Sequence, residues 1–181
     1  MTSHFFEQIK DELKKGPTEP KHPFRFFTFA TVGLDQVARL RTVVLRKVNE
    51  DLKLTFFTDK RSKKITHIKE NKKVGLLFYN PTKMLQLKIE GIATFKDDEG
   101  TKAQFWSTIA PAAKKAYTTS MPPGSALTNP QNLEFLNEEN HFCTVEIIPF
   151  KMEYLQLAQP NHIRIRFSRT ETHWEGEFIV P

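Results

Sequence analysis

The chain has 181 residues, enough to bury a real core in one domain, and no apolar run approaches the roughly 18–20 residues of a membrane-spanning helix. Hydrophobic residues make up 39% and charged residues 27%, an ordinary globular balance, while 16 phenylalanines, several in Phe-Phe pairs, favour aromatic β-structure or an apolar pocket. The formal charge of +6 suits nucleic acid, but no helix-turn-helix, zinc-ligand or RNA-binding signature accompanies it, and a small phosphate ligand explains it equally well. The polar, charged start of the sequence is unlike a signal peptide, so the expectation is a soluble, cytoplasmic protein without membrane partners.

Residues 3–15 read as a helix, with Ser3 as its N-cap, Phe6, Ile9 and Leu13 at helical spacing, and Gly16-Pro17 as its stop. After a connector carrying Pro20, His22 and Pro23, residues 24–31, 37–48 and 52–58 read as three strands of an antiparallel meander. Residues 62–70 carry Ile65 and Ile68 among lysines and predict a short helix, and strands resume at 74–79 and 84–95. Residues 97–116 are helical in pattern and divided by Pro111; Asp97-Asp98-Glu99 ahead of them is a solvated turn or a helix N-terminus. A Pro- and Gly-containing loop over 121–132 follows, then strands at 141–148, 151–157, 162–168 and 174–180. The one cysteine, Cys143, excludes an internal disulfide and sits in a buried-strand pattern as an inert core thiol. His4, His22, His67 and His173 lack metal-ligand spacing, so no metal is expected.

Two basic clusters stand out, Arg41-Thr42-Val43-Val44-Leu45-Arg46 and Phe56-Phe57-Thr58-Asp59-Lys60-Arg61-Ser62-Lys63-Lys64. Period two puts Val43 and Leu45 on one strand face with arginines near the ends, while Thr58 and Ser62 bracket a turn whose hydroxyls and amides suit phosphate oxygens. The start of the following helix adds unpaired N–H groups and partial positive charge. The competing reading is a basic edge strand guarded by charge against aggregation.

The order of strand, Arg-x-Val-x-Leu-Arg, hairpin, Phe-x-Thr-Asp-x-Arg-Ser-x-Lys, helix and Leu85-Gln86-Leu87-Lys88-Ile89-Glu90-Gly91 resembles the pyridoxamine 5'-phosphate oxidase-like FMN-binding split-barrel family. Phe105-Trp106, Ala112-Ala113-Lys114, Tyr117, Pro122-Pro123-Gly124 and the Glu153-Tyr154-Leu155-Gln156-Leu157 ending resemble a branch distinct from the true vitamin B6 oxidases. The resemblance covers nearly the whole chain. It implies a mainly β fold with flanking helices, an antiparallel FMN-binding split β-barrel formed as one domain over residues 1–181. It also implies a homodimer with FMN at the interface. Carried over, Arg41 and Arg46 are FMN contacts at the ends of the run from Thr42 to Leu45. Thr58, with Phe57, lies beside the flavin; Ser62, Lys63 and Lys64 take the phosphate; Gln86 bonds the flavin from the second subunit; Arg166 lies near the ring. Arg61 is an additional cation candidate.

The departures concern the substrate. Where the B6 oxidases hold a substrate phosphate with Tyr, Arg and Ser on the middle helix, this chain carries Phe105, Ile109 and Ala113; the tryptophan flanking FMN becomes Leu155. The late Arg-x-His-x-Arg pattern becomes His162-x-Arg164-x-Arg166, leaving His162 and Arg164 as candidates to orient a small-molecule substrate, His162 as a proton donor or acceptor. Trp106 and Tyr117 read as core or as pocket lining. The resulting expectation is an FMN-dependent oxidoreductase with altered substrate specificity. Its rivals are a flavin carrier or sensor without turnover, and a basic β-domain that binds single-stranded nucleic acid.

Overall fold

The computed structural model describes residues 1–181. Helix α1 (Ser3–Thr18) leads through a 3₁₀ turn at Pro23–Arg25 into β1 (Phe26–Val32), which turns at Gly33 into β2 (Ala38–Val44). β3 (Lys47–Val48) and β4 (Leu54–Asp59) form a second hairpin, followed by α2 (Lys63–Glu70), β5 (Lys73–Asn80) and β6 (Leu85–Lys96). The short helices α3 (Glu99–Trp106) and α4 (Pro111–Lys114) precede an irregular stretch, and β7 (Phe142–Gln156), β8 (Ile163–Arg169) and β9 (Trp174–Phe178) complete the chain. All strand pairs are antiparallel, in the order β2-β1-β5-β6-β7-β4-β3, with β8 on β7 and β9 on β8. This is a mainly β sheet curled into a split barrel. No helix is long and apolar enough to cross a membrane.

The curl is made where the predicted strand over 37–48 divides. The Leu45 amide donates to the Arg25 carbonyl at 2.8 Å, on the β1 side, and the next amide, Arg46, donates to the Thr55 carbonyl at 2.9 Å, on the β4 side. Consecutive peptides thus serve opposite ends of the sheet order, and the meander expected there becomes two hairpins joined at a corner. Inside, alternation along β1 buries Phe27 and Phe29 with Phe56, Phe78 and Phe24. Phe27 stacks on Phe78 at 4.8 Å and meets Phe56 edge-on at 6.1 Å. Each such ring contributes about 1.5–3 kcal/mol on burial, so the abundant phenylalanines belong chiefly to the core.

Three sequence expectations need correction. Helix α1 begins after Thr2 and not after Ser3, and it runs through Gly16 and Pro17 to Thr18. Gly16 serves close packing: a Cβ there would lie 2.8 Å from the Phe24 carbonyl oxygen. Strands expected at 141–148 and 151–157 are one strand, β7, because Pro149 falls opposite Gly91 where the β6–β7 register shifts. A bulge tolerates the missing proline N–H. A Cβ at Gly91 would sit 2.7 Å from Ile147 Cγ2, so glycine is what lets the strands close there. Asp98 resolves the acidic run as a helix start, its carboxylate accepting from the Thr101 amide at 2.9 Å. Trp106 and Tyr117 join Phe142 and Ile109 in a small satellite core, as structural reasoning expects of aromatics at helical spacing.

Candidate functional site

β4 ends at Asp59 and α2 begins at Lys63, so the basic cluster between them is a tight strand-to-helix turn. Ser62 caps α2 in an extended conformation with no side-chain capping bond, and the first turn holds no acidic residue. Its hydroxyl instead lies 3.4 Å from Thr58 Oγ1, which also accepts from Lys64 Nζ at 2.9 Å. From β2, Arg41 Nη1 donates to the Phe29 carbonyl at 3.2 Å and to Thr31 Oγ1 at 2.8 Å, with the guanidinium 5.7 Å from the Phe29 ring centre. Thr31 Oγ1 in turn lies 2.9 Å from Nδ1 of the buried His67 on α2.

The electrostatics of this corner are one-sided. Arg41, Lys63 and Lys64 have no carboxylate partner, whereas their neighbours Arg39 and Arg61 pair with Asp35 and Asp59 at 2.7 Å. Burial, then the Arg41 charge, pushes the Lys64 amine below its usual range. Burial, then Arg39, lowers Arg41; burial, then Arg41, lowers His67. Arg41 and Lys64, half-buried near one another with Asp59 offsetting them only in part, are like charges held at a cost, and an entering phosphate would reverse that sign.

The other candidates fall in three places. Arg61 has its donors engaged: it bonds the Asp59 carboxylate twice and the carbonyls of Thr119 at 2.8 Å and Ser120 at 3.2 Å, tying the loop after Tyr117 to the turn. Arg46 lies past the corner, its guanidinium carbon 5.4 Å from the Phe57 ring centre. It lines a cleft of about 460 Å³ with Arg25, Lys47, Phe57, Phe105, Ile109 and Ala113. Along β2, Val43 faces inward with Arg41, Thr42 and Val44 face outward, and Leu45 is buried at the corner. The far edge of β2 has no partner strand.

Gln86, Arg164 and Arg166 lie elsewhere. Gln86 on β6 faces outward opposite Leu155, which is opposite Arg164 on β8. Arg164 holds Glu153 at 2.7 Å and Arg166 holds Glu177 at 2.7 Å. Burial pushes the Glu153 carboxyl up, but Arg164 and Lys88 outweigh it and hold the group below the usual range. His162 is exposed just before β8, its Nδ1 accepting from the Ala158 amide at 3.2 Å. Within one chain, the corner cluster and this outer set face different ways across the sheet.

Thr31, His67 and Arg25 were not singled out by sequence reasoning. A threonine at an inward position of an otherwise aromatic strand was the available signal for Thr31; His67 and Arg25 had none beyond their places beside the basic clusters.

Comparison with known proteins decides the family. Residues 3–97, just over half of the chain, match the model of the pyridoxamine 5'-phosphate oxidase FMN-binding domain. The chain belongs to this family. Among relatives, the pyridoxine/pyridoxamine 5'-phosphate oxidase of Thermosynechococcus vestitus is 26% identical over 167 residues, covering 85% of this chain and 78% of that protein. Its counterpart in Aliarcobacter butzleri is 43% identical over a shorter 87-residue match, 48% of this chain and 37% of that protein. A pyridoxamine 5'-phosphate oxidase-related, FMN-binding protein of Nostoc punctiforme superposes with a TM-score of 0.79 at 24% identity, over 97% of this chain and 96% of that one. PhzG of Burkholderia lata, solved with tetrahydrophenazine-1-carboxylic acid, gives 0.75 at 16% identity over 99% and 90%. At such identities the structural matches establish the split-barrel fold.

Proposed function

We propose that the protein binds FMN at an interface between two copies of the chain and uses it in a redox reaction on a small organic substrate other than a B6 phosphate. The observation that carries this reading is the cluster of Arg41, Lys63 and Lys64, none of them in an ion pair, beside the Thr58 and Ser62 hydroxyls at the start of α2, where the one nearby acid, Asp59, is paired with Arg61, in a chain of an FMN-binding family. A phosphate presents several strong acceptor oxygens, and two ammonium groups, a guanidinium, two hydroxyls and helix N–H groups are a matching donor set. From there the unpartnered edge of β2, over Thr42, Val43, Val44 and Leu45, leads to Phe57 and Arg46, and offers alternate backbone groups to a flat heteroaromatic ring. When bound, the flavin supplies the hydride acceptor or donor. The chain supplies placement, charge and exclusion of water.

Gln86 and Arg166 reach such a ring from a second copy. β1 and β5 separate β2 from β6, which is roughly 14 Å at about 4.8 Å per strand, and the residues point away from the corner. The outward face between them exposes Leu40 at 67%, Phe26 at 55% and Tyr79 at 48%, an apolar surface suited to an isologous contact. His162 and Arg164 then orient substrate from the partner. Because the Ala158 amide donates to Nδ1, the neutral His162 ring carries its transferable proton at Nε2.

The test is the visible absorption spectrum of freshly purified protein, with released ligand identified by mass. About one FMN per chain is expected; a colourless protein that also fails to take up added FMN overturns the reading. The donor-free wall at Phe105, Ile109 and Ala113 also fits a carrier or sensor, and a flavin that binds but is neither reduced nor reoxidised by any matched substrate favours that alternative.

A further inference from the structure

The cleft beyond the corner has a composition of its own. Its floor and walls are Pro17, Leu45, Phe57, Phe105, Ile109 and Ala113, and no acidic side chain lines it. At about 460 Å³ it has room for a fused two- or three-ring compound. Arg46 forms no ion pair and lies against the Phe57 ring at 5.4 Å, a stacking that orients the planar fork of the guanidinium. Tyr117 beside it is buried, and burial holds its hydroxyl above the usual phenol range although the Arg46 charge and a hydrogen bond with Arg46 pull the other way, so the phenol stays neutral, helps to place the guanidinium and does not offset its charge. Arg25, also without a carboxylate partner, lines the same cleft, while Lys47 is exposed and sits 5.9 Å from the Phe105 ring centre.

We propose that this cleft takes a flat, apolar aromatic compound bearing one carboxylate, with Arg46 gripping the carboxylate and Phe57, Phe105, Ile109 and Ala113 enclosing the ring system. The assignment rests on the flavin reading above and names the substrate class for it. A carboxylate has two oxygens in one plane, which a single guanidinium fork satisfies in bidentate fashion. A phosphate ester dianion needs donors around a tetrahedron. The donors lining the cleft, Arg25, Arg46 and Lys47, all come from the sheet corner; the wall across it has none, since Phe105, Ile109 and Ala113 have no polar side-chain atoms and the Thr108 hydroxyl donates to the Phe105 carbonyl at 2.7 Å. Phosphate oxygens turned to that wall would lose water without replacement. A long-chain carboxylate would fit the charge, but the Phe57 and Phe105 rings, 5.3 Å apart at their centres and tilted by 56°, favour an aromatic edge or face against them.

The experiment uses FMN-loaded protein titrated with naphthoate, with naphthamide as its uncharged counterpart and with pyridoxine 5'-phosphate, each followed through the flavin absorption bands and by calorimetry. Naphthoate is expected to bind about tenfold or more tightly than either competitor. Arg46→Gln should remove the preference for acid over amide, and Ala113→Leu, which fills the cleft without touching charge, should weaken acid and amide alike. Flavin content is measured for every variant, and naphthoate binding is repeated on flavin-free protein by calorimetry. Loss of FMN binding with retained naphthoate binding counts against the flavin reading alone. Equal affinity for acid and amide, tighter binding of pyridoxine 5'-phosphate, or no binding of naphthoate at all overturns the substrate assignment.

Discussion

Two regions of the sheet use cations in opposite ways. Across β6, β7 and β8 the outward cations are matched: Lys88 lies 3.3 Å and Arg164 2.7 Å from Glu153, Lys151 3.4 Å from Glu90, and Arg166 2.7 Å from Glu177. Around the β2 corner and the start of α2, Arg41, Arg46, Lys63 and Lys64 have no such partner, although Arg39 and Arg61 close by do. Exposed ion pairs contribute little to stability, so the matched set chiefly keeps the local field small. An unmatched set keeps its field and its donors for a ligand. Charge count alone, the +6 of the whole chain, does not distinguish the two.

The largest expected effect follows from emptying the unmatched corner. Arg41→Ala combined with Lys64→Ala should weaken FMN binding by about a hundredfold or more, at roughly 1.5–3 kcal/mol for each charge-assisted bond lost. Equilibrium dialysis against FMN reads this directly, and an unchanged affinity would remove the corner from the site. Next in size is the buried acid on α1. Glu12 is 2% exposed and takes bonds from Asn80 Nδ2 at 3.0 Å and from Lys83, with His22 beside it at 3.5 Å. Glu12→Ala should cost about 2–3 kcal/mol by leaving Asn80 without its acceptor, with FMN affinity nearly unaffected in the folded protein. Urea unfolding of the variant measures it; a loss below about 0.5 kcal/mol would mean the contact is dispensable.

A smaller effect depends on pH. Burial lowers the pKa of His67, with Arg41, Arg39 and Lys63 adding to it and Asp35 opposing; burial and then Arg61 lower that of His141. Both rings therefore favour the neutral form in the folded chain, and as pH falls through the ordinary histidine value of about 6.5 the unfolded chain takes up protons first. Stability of the flavin-free protein should be full above that pH and decline below it, towards the lowered folded-state values. His67→Asn, which retains an acceptor for Thr31, should flatten the decline in a pH series of melting temperatures, and an unaltered slope would exclude His67. The smallest effect is the control in the matched region. Lys151→Ala should change stability by less than about 1 kcal/mol and leave FMN affinity unchanged; a clear loss of flavin there would erase the contrast between the two regions.

Much of this was legible in the sequence where the determinants are local. The aromatic run over residues 24–31 marked β1, Ile65 and Ile68 marked α2, and the run from Thr58 to Lys64 marked a turn rich in donors. Pro149 misled, because its effect depends on a bulge that Gly91, distant in sequence, creates. Gly16-Pro17 misled for the same reason, since the close neighbour that requires Gly16 is the Phe24 backbone. Family resemblance marked Arg46 as a flavin contact and Phe105, Ile109 and Ala113 as substrate-facing positions, but their meeting in one cleft without an acid or a free hydroxyl donor is a property of the packed chain.

The sequence by itself determined most of the strands, the short helices and the inventory of cations, because side-chain periodicity, turn chemistry and charge act over a few residues. Only the tertiary structure decided which cations keep a carboxylate and which do not. Pairing across β7 and β8 and the corner at Leu45–Arg46 bring together residues far apart along the chain, and an ion pair exists only where that closure sets the two charges within reach.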